Sequence, residues 1–149
     1  MQHKHLIVRA EVSNPPRYEQ TIIDWTNNLI RDIGMKVMLG PFAKYCNVAG
    51  NKGLTCVTII ETSHVAVHVW DEPSPKLIQL DVYTCGDLDT KLVFDALDKF
   101  DPVKIDYKYL DRETNLTEVL DNKQLYRSGV SPEVAQSEGT HLTLTRRVL

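Results

Sequence analysis

The residues best suited to chemistry in this 149-residue chain lie between Thr55 and Cys85. Ser63-His64, His68 and Cys85 succeed one another there, with Thr55, Glu61, Glu72 and Asp81 close by in sequence. A serine or cysteine beside a histidine is one arrangement for nucleophilic catalysis, because the imidazole takes the proton that keeps a hydroxyl or thiol from attacking. The pattern is unspecific: no G-x-S-x-G turn is present, and hydroxyls and histidines recur in any sheet as satisfied polar groups. A metal reading of His64 and His68 fails on spacing. Their separation of four residues suits a helix, but Ser63 to Trp70 is β-branched and alternating, and four residues of strand span about 13 Å. No metal is expected. Cys46, Cys56 and Cys85 are odd in number and lack C-x-x-C spacing, which suggests neither a disulfide framework nor a structural zinc.

The elements that must position these groups follow from periodicity. His5 to Val12 alternates as a strand and is stopped by Asn14-Pro15-Pro16. Tyr18 to Ile33 carries Ile22, Trp25, Leu29 and Ile33 at helical spacing, and Gly34 sits where a C-terminal stop belongs. A short strand is expected over Met35 to Leu39, then a long ordered loop from Gly40 to Gly53. Leu54 to Glu61, Ser63 to Trp70 and Lys76 to Tyr83 read as successive strands, and short connections make them antiparallel neighbours. A second helix is expected over Leu88 to Phe100, capped by Asp87 or Asp89, followed by a strand over Val103 to Leu110. Beyond Asp111 the chain is polar, with a short helix expected around Leu116 to Leu120 and a late alternation through Thr140 to Leu144. This order predicts an α+β fold, a two-layer sandwich in which two helices cover one face of a mainly antiparallel sheet. Residues 1–110 form the expected domain, and 111–149 an extension packed on it or trailing it.

The central strands are apolar on both alternating sets, Val65, Val67 and Val69 against Ala66 and Trp70. The uncovered face therefore calls for a partner surface, most simply in a homodimer. Charge excludes other classes: 17 Lys plus Arg against 20 Asp plus Glu give a net charge of -3, which argues against nucleic-acid binding. No apolar run approaches the roughly 18 residues of a membrane span, and the start lacks signal-peptide features, so a cytoplasmic location is expected.

The run Glu61-Thr62-Ser63-His64-Val65-Ala66-Val67-His68-Val69-Trp70, followed by Asp81-Val82-Tyr83-Thr84-Cys85-Gly86, resembles the bacterial and archaeal S-adenosylmethionine decarboxylase proenzymes, which are pyruvoyl-dependent. Their pattern is roughly ESHxxxHxWPE, then D-[LV]-[FY]-T-C-G. The resemblance extends from about His5 to about Leu110. It implies that the chain cuts its own backbone between Thr62 and Ser63, and that Ser63 becomes a pyruvoyl group, the covalent cofactor. His68 would then assist self-processing, Thr55 would stand for a family serine whose hydroxyl supports it, and Cys85 would donate a proton after decarboxylation. The pyruvoyl carbonyl would hold the substrate α-amine as a Schiff base and accept the electrons released as CO₂ leaves. For S-adenosylmethionine, Tyr45 would stack on the adenine and Glu72 would accept from the ribose hydroxyls. The product would serve polyamine (spermidine) biosynthesis.

This chain departs from the pattern in places. Thr62 intervenes between Glu61 and Ser63, Asp71 stands where proline is usual, and the following turn is two residues longer. A regular strand points Ser63 and His68 to opposite faces, so a bend at the serine is expected. The altered scissile bond leaves a second reading, a non-cleaving homologue acting as a binding or regulatory protein. The altered turn leaves a third, a relative that decarboxylates ornithine or arginine.

Overall fold

Alternation decides the sheet. In β1 (Lys4–Val12) the side chains of Leu6, Val8, Ala10 and Val12 are buried and those between them are not, the two-residue period of a strand with one covered face. The computed structural model describes residues 2–119 throughout and, beyond them, the backbone of β8 (Val130–Pro132) and β9 (Leu142–Arg146). Between these lie β2 (Val37–Cys46), β3 (Gly53–Ile60), β4 (Ser63–Trp70), β5 (Lys76–Thr84), β6 (Pro102–Asp111) and the short β7 (Thr117–Glu118). All pair antiparallel, in the order β2-β3-β4-β5-β1-β6-β9-β8, with β7 on β6.

Two helices cover one face. α1 (Glu19–Asp32) buries Ile22, Trp25, Leu29 and Ile30, and α2 (Thr90–Leu97) buries Val93, Phe94 and Leu97. They meet Val65, Val67 and Val69 of β4, Ile78, Leu80 and Val82 of β5, and the inward set of β1 in one core. The Trp25 indole donates to the Ala96 carbonyl at 2.9 Å, which satisfies its N–H and ties α1 to α2. The choice of cap is resolved in favour of Asp89, whose carboxylate accepts from the Lys91 N–H at 3.0 Å. The expected α+β sandwich is thus the observed fold.

Two local expectations are corrected. The loop expected from Gly40 to Gly53 is mostly strand, since β2 continues to Cys46. Gly40-Pro41 shifts the register against β3 rather than ending the pairing, as glycine and proline do at bulges of an edge strand. The helix expected around Leu116 gives way to β7, because the edge of β6 offers backbone partners, including the Tyr109 carbonyl that accepts from Val119 N–H at 2.7 Å. Leu120 lies outside the described residues. Of the Thr140 to Leu144 alternation, Leu142 to Leu144 fall in β9; Thr140 and His141 lie outside the described residues. β9 pairs with β6 and so lengthens the sheet instead of folding over its open face. Among the described residues, no helix is long and apolar enough to cross a membrane.

Candidate active site in two halves

β3 and β4 form a hairpin whose two-residue turn is Glu61-Thr62, with Ile60 opposite Ser63. Ser63 opens β4 with φ of +140°, a backbone region that essentially only glycine occupies without strain. The bend expected at this serine is therefore a twisted dihedral, with no break in pairing. Immediately before it, the Thr62 carbonyl accepts the backbone N–H of Cys85 at 2.8 Å. The Thr62 hydroxyl meets the Met35 sulfur at 3.0 Å, and the Gly86 N–H donates to Thr84 Oγ1 at 3.0 Å. An extra carbon on Gly86 would lie 3.5 Å from the Met35 methyl and 3.7 Å from that of Thr62, ordinary van der Waals distances that place Met35, Thr62 and Gly86 side by side at this corner. Chemically, this corner holds a strained peptide whose carbonyl is polarised by a fixed donor, with a hydroxyl on the next residue.

The second half lies at the other end of β4. Thr55 stands directly opposite His68, and its hydroxyl is 3.0 Å from His68 Nδ1. Trp70 follows on the same face, its ring 5.9 Å from that of His68, and its N–H donates to Asn51 at 2.8 Å. Exposed Glu72 borders a shallow groove with Gly50, Trp70, Pro73 and Leu77. Gly53 closes this end. At φ of +150° it passes so near β4 that an added Cβ would fall 1.7 Å from the Val69 carbonyl oxygen, so no other residue fits.

Thr62, Ser63 and Cys85 are brought together, as are Thr55 and His68, but the two groups are apart. His68 is five residues along an unbroken strand from Ser63, about 16 Å at roughly 3.3 Å per residue, beyond the reach of an imidazole. Tyr45 lies in neither. It pairs with buried Leu54 and packs against the core, while its neighbour Lys44 shares the face of Thr55 and His68. The Tyr45 hydroxyl donates to Asp71 at 2.7 Å, and this carboxylate acceptor raises the phenol above its ordinary value. The aromatic side chain that β2 presents on the open face is Phe42, 61% exposed and opposite Val57. It was hidden from sequence reading by Gly40-Pro41, which break the alternation. Cys85 is half-buried, whereas Cys56 is fully buried and burial pushes its thiol up, away from the reactive thiolate.

A helix-backed antiparallel sheet with a strained serine at a hairpin defines the class, and comparisons with known proteins place the chain within it. Residues 4–113 match the pattern of the S-adenosylmethionine decarboxylase family, and the chain belongs to that family. It is 42% identical over 64 residues to the S-adenosylmethionine decarboxylase proenzyme of Pyrobaculum arsenaticum, covering 42% of this chain and 50% of that one. It is 41% identical over 64 residues to the proenzyme of Archaeoglobus fulgidus, covering 40% and 54%. The chain spans about half the length of the curated relatives it matches. The crystal structure of the adenosylmethionine decarboxylase from Aquifex aeolicus superposes with a TM-score of 0.62 at 19% identity, over 80% of this chain and 98% of that one, a likeness of fold.

Proposed function

We propose that the chain is a self-cleaving, pyruvoyl-dependent decarboxylase acting on S-adenosylmethionine. The observation that carries this reading is Ser63 at φ of +140° beside a Thr62 carbonyl held by the Cys85 N–H. Ser63 Oγ attacks that carbonyl, forming a C–O bond, and the Thr62–Ser63 C–N bond breaks to give an ester with a free Ser63 amine. The Cys85 N–H steadies the charge on the oxygen during attack, and release of the Ser63 dihedral favours the forward direction. A base then removes the Ser63 α-proton, the Thr62 carboxylate leaves, and loss of ammonia with uptake of water leaves a pyruvoyl group at the start of the second fragment. That group supplies an electron sink next to the substrate's α-carbon. Imidazole as a side-chain type exchanges protons near neutral pH, which suits His68 to the α-proton step, with the Thr55 hydroxyl fixing its ring. Cys85, beside the same bond, is the proton donor to the decarboxylated product, and Glu72 with Trp70 borders the substrate groove.

The distance along β4 makes one chain insufficient. If His68 serves Ser63, it is His68 of a second copy, brought over by a two-fold axis near the middle of β4 with the open faces together. Ile7, Leu39, Phe42, Val57 and Ile59, each at least 40% exposed, lie on β1, β2 and β3 and favour this assembly. At about 25 cal/mol per Å², a few hundred Å² of apolar cover contributes several kcal/mol. Intact-mass measurement tests the reading: two fragments meeting at Thr62–Ser63, the larger beginning with pyruvoyl, are expected. One intact chain after long incubation selects the non-cleaving homologue, and CO₂ release from ornithine or arginine in place of S-adenosylmethionine reassigns the substrate. Mixing Ser63→Ala and His68→Ala chains, each uncut alone, should restore cutting in the His68→Ala chain; failure to do so removes the shared site.

A further inference from the structure

On the open face, His64, Tyr83 and His5 stand in one cross-strand row over β4, β5 and β1, and Asp81 lies two residues along β5 on the same side. One donor atom each from His5, His64 and Asp81 lies within 4.8 Å of the others. The three groups come from three strands, so no spacing in the sequence announces them. Two imidazoles and a carboxylate are the donor set that borderline divalent ions such as Zn²⁺ take, and the unfilled positions suit water.

We propose that His5, His64 and Asp81 form a binding site for one divalent transition-metal ion, Zn²⁺ or Co²⁺, clamping β1, β5 and β4 beside the start of the Ser63 strand. All three residues are half-buried, enough to pre-set the donors and open enough for an ion to enter. The His5 and His64 rings lie nearly perpendicular, 6.3 Å between centres, close enough for one nitrogen of each to reach a common point. The Asp81 carboxyl is held below its usual range, chiefly by the bond to His5. The proposal goes beyond the decarboxylase reading and stands whether or not the chain cuts itself.

Arg112 sets the condition for loading. It donates to His5 Nδ1 at 3.2 Å, which leaves the His5 proton on Nε2, where Asp81 accepts it. An ion bound at Nε2 displaces that proton and Nδ1 takes one up, so the ring changes tautomer and Arg112 must release it. Arg112 is exposed, and its guanidinium stacks on Tyr83 at 4.0 Å, which holds it beside His5. A metal-bound histidine normally donates its other N–H to an acceptor, so a residue at 112 that accepts should tighten binding.

The test uses the untagged full-length chain, stripped with chelator and re-equilibrated with Zn²⁺ or Co²⁺. One equivalent of Zn²⁺ per chain and a Co²⁺ visible spectrum are expected. His64→Ala and Asp81→Asn should each weaken affinity at least tenfold, His3→Ala should leave it unchanged, and Arg112→Gln should strengthen it severalfold. Circular dichroism checks that each variant is folded, and Asp81→Asn, which keeps the side chain's shape, decides the matter if His64→Ala is not. No binding above background, or binding that survives both ligand substitutions, would overturn the site and leave a plain hydrogen-bonded His5–Asp81 pair.

Discussion

The two faces of the sheet are made by the same strands from alternate residues, yet they are built for different ends. Toward the helices, β4 presents Val65, Val67 and Val69 and β5 presents Ile78, Leu80 and Val82, all fully or nearly fully buried. Toward the open side, the same strands present His64, Ala66, His68 and Trp70, and Gln79, Asp81 and Tyr83, half-buried or exposed. The covered face is apolar and close-packed, so its energetics are those of any core. The open face carries hydroxyl, imidazole and carboxylate groups between patches of Phe42, Val57 and Ile59. On the open face, packing against the protein's own helices does not set the residue type.

That contrast is testable by unequal costs. Phe94→Ala, on the covered side, should lose about 3–5 kcal/mol in denaturant unfolding, since the residue is fully buried against Tyr107 and the sheet. A loss under about 1 kcal/mol would mean the core is not where the geometry puts it. Ser63→Gly comes next and has the opposite sign. It removes the serine hydroxyl, so cutting should stop, and it relieves the +140° dihedral, so the uncut chain should gain about 1–2 kcal/mol over Ser63→Ala. Equal stability of the two variants would show that the dihedral carries no strain.

Smaller effects belong to the open face. The depressed Asp81 carboxyl is stabilising above its unfolded value near 3.8, and that contribution is lost as pH falls through the lower folded value. Wild type should therefore exceed Asp81→Asn in stability at neutral pH by less than about 1 kcal/mol, because the side chain is 41% exposed, and the gap should close below pH 3.8. A gap that widened in acid would reverse the assignment. Smallest of all, Ile59→Thr should change the stability of a dilute, monomeric chain by no more than about 0.5 kcal/mol. Sedimentation of the same variant should reveal weakened self-association if a second copy covers that face.

Where a strand alternates without interruption, sequence reading and structure agree closely. β4 spans Ser63 to Trp70 as expected, and the helix expected over Tyr18 to Ile33 is shorter by one residue at each end. β2 was read short because Gly40-Pro41 imitates a loop, although an edge strand tolerates both by shifting register. Tyr45 was assigned through resemblance alone, and its side chain lies on the helix side of β2 with its hydroxyl on Asp71. Thr55 with His68 was foreseen only through resemblance, and their contact comes from hairpin pairing. The juxtaposition of His5, His64 and Asp81 was beyond any local pattern, because it needs the first strand to enter the sheet between the fifth and the sixth.

That insertion also governs what a cut chain can do. A break at Thr62–Ser63 divides the protein into a fragment holding β1, α1, β2 and β3 and one holding the rest. β1 is gripped on one side by β5 and on the other by β6, while β3 remains zipped to β4 across the break. The two products are thus threaded through each other, and no fragment can depart without dismantling the middle of the sheet. Once denatured and diluted they must find each other again as separate molecules, so refolding of the cut protein becomes second order in concentration, whereas that of the uncut chain does not. Cutting would turn a folding equilibrium within one chain into an association equilibrium between two, which dilution shifts toward the separated fragments.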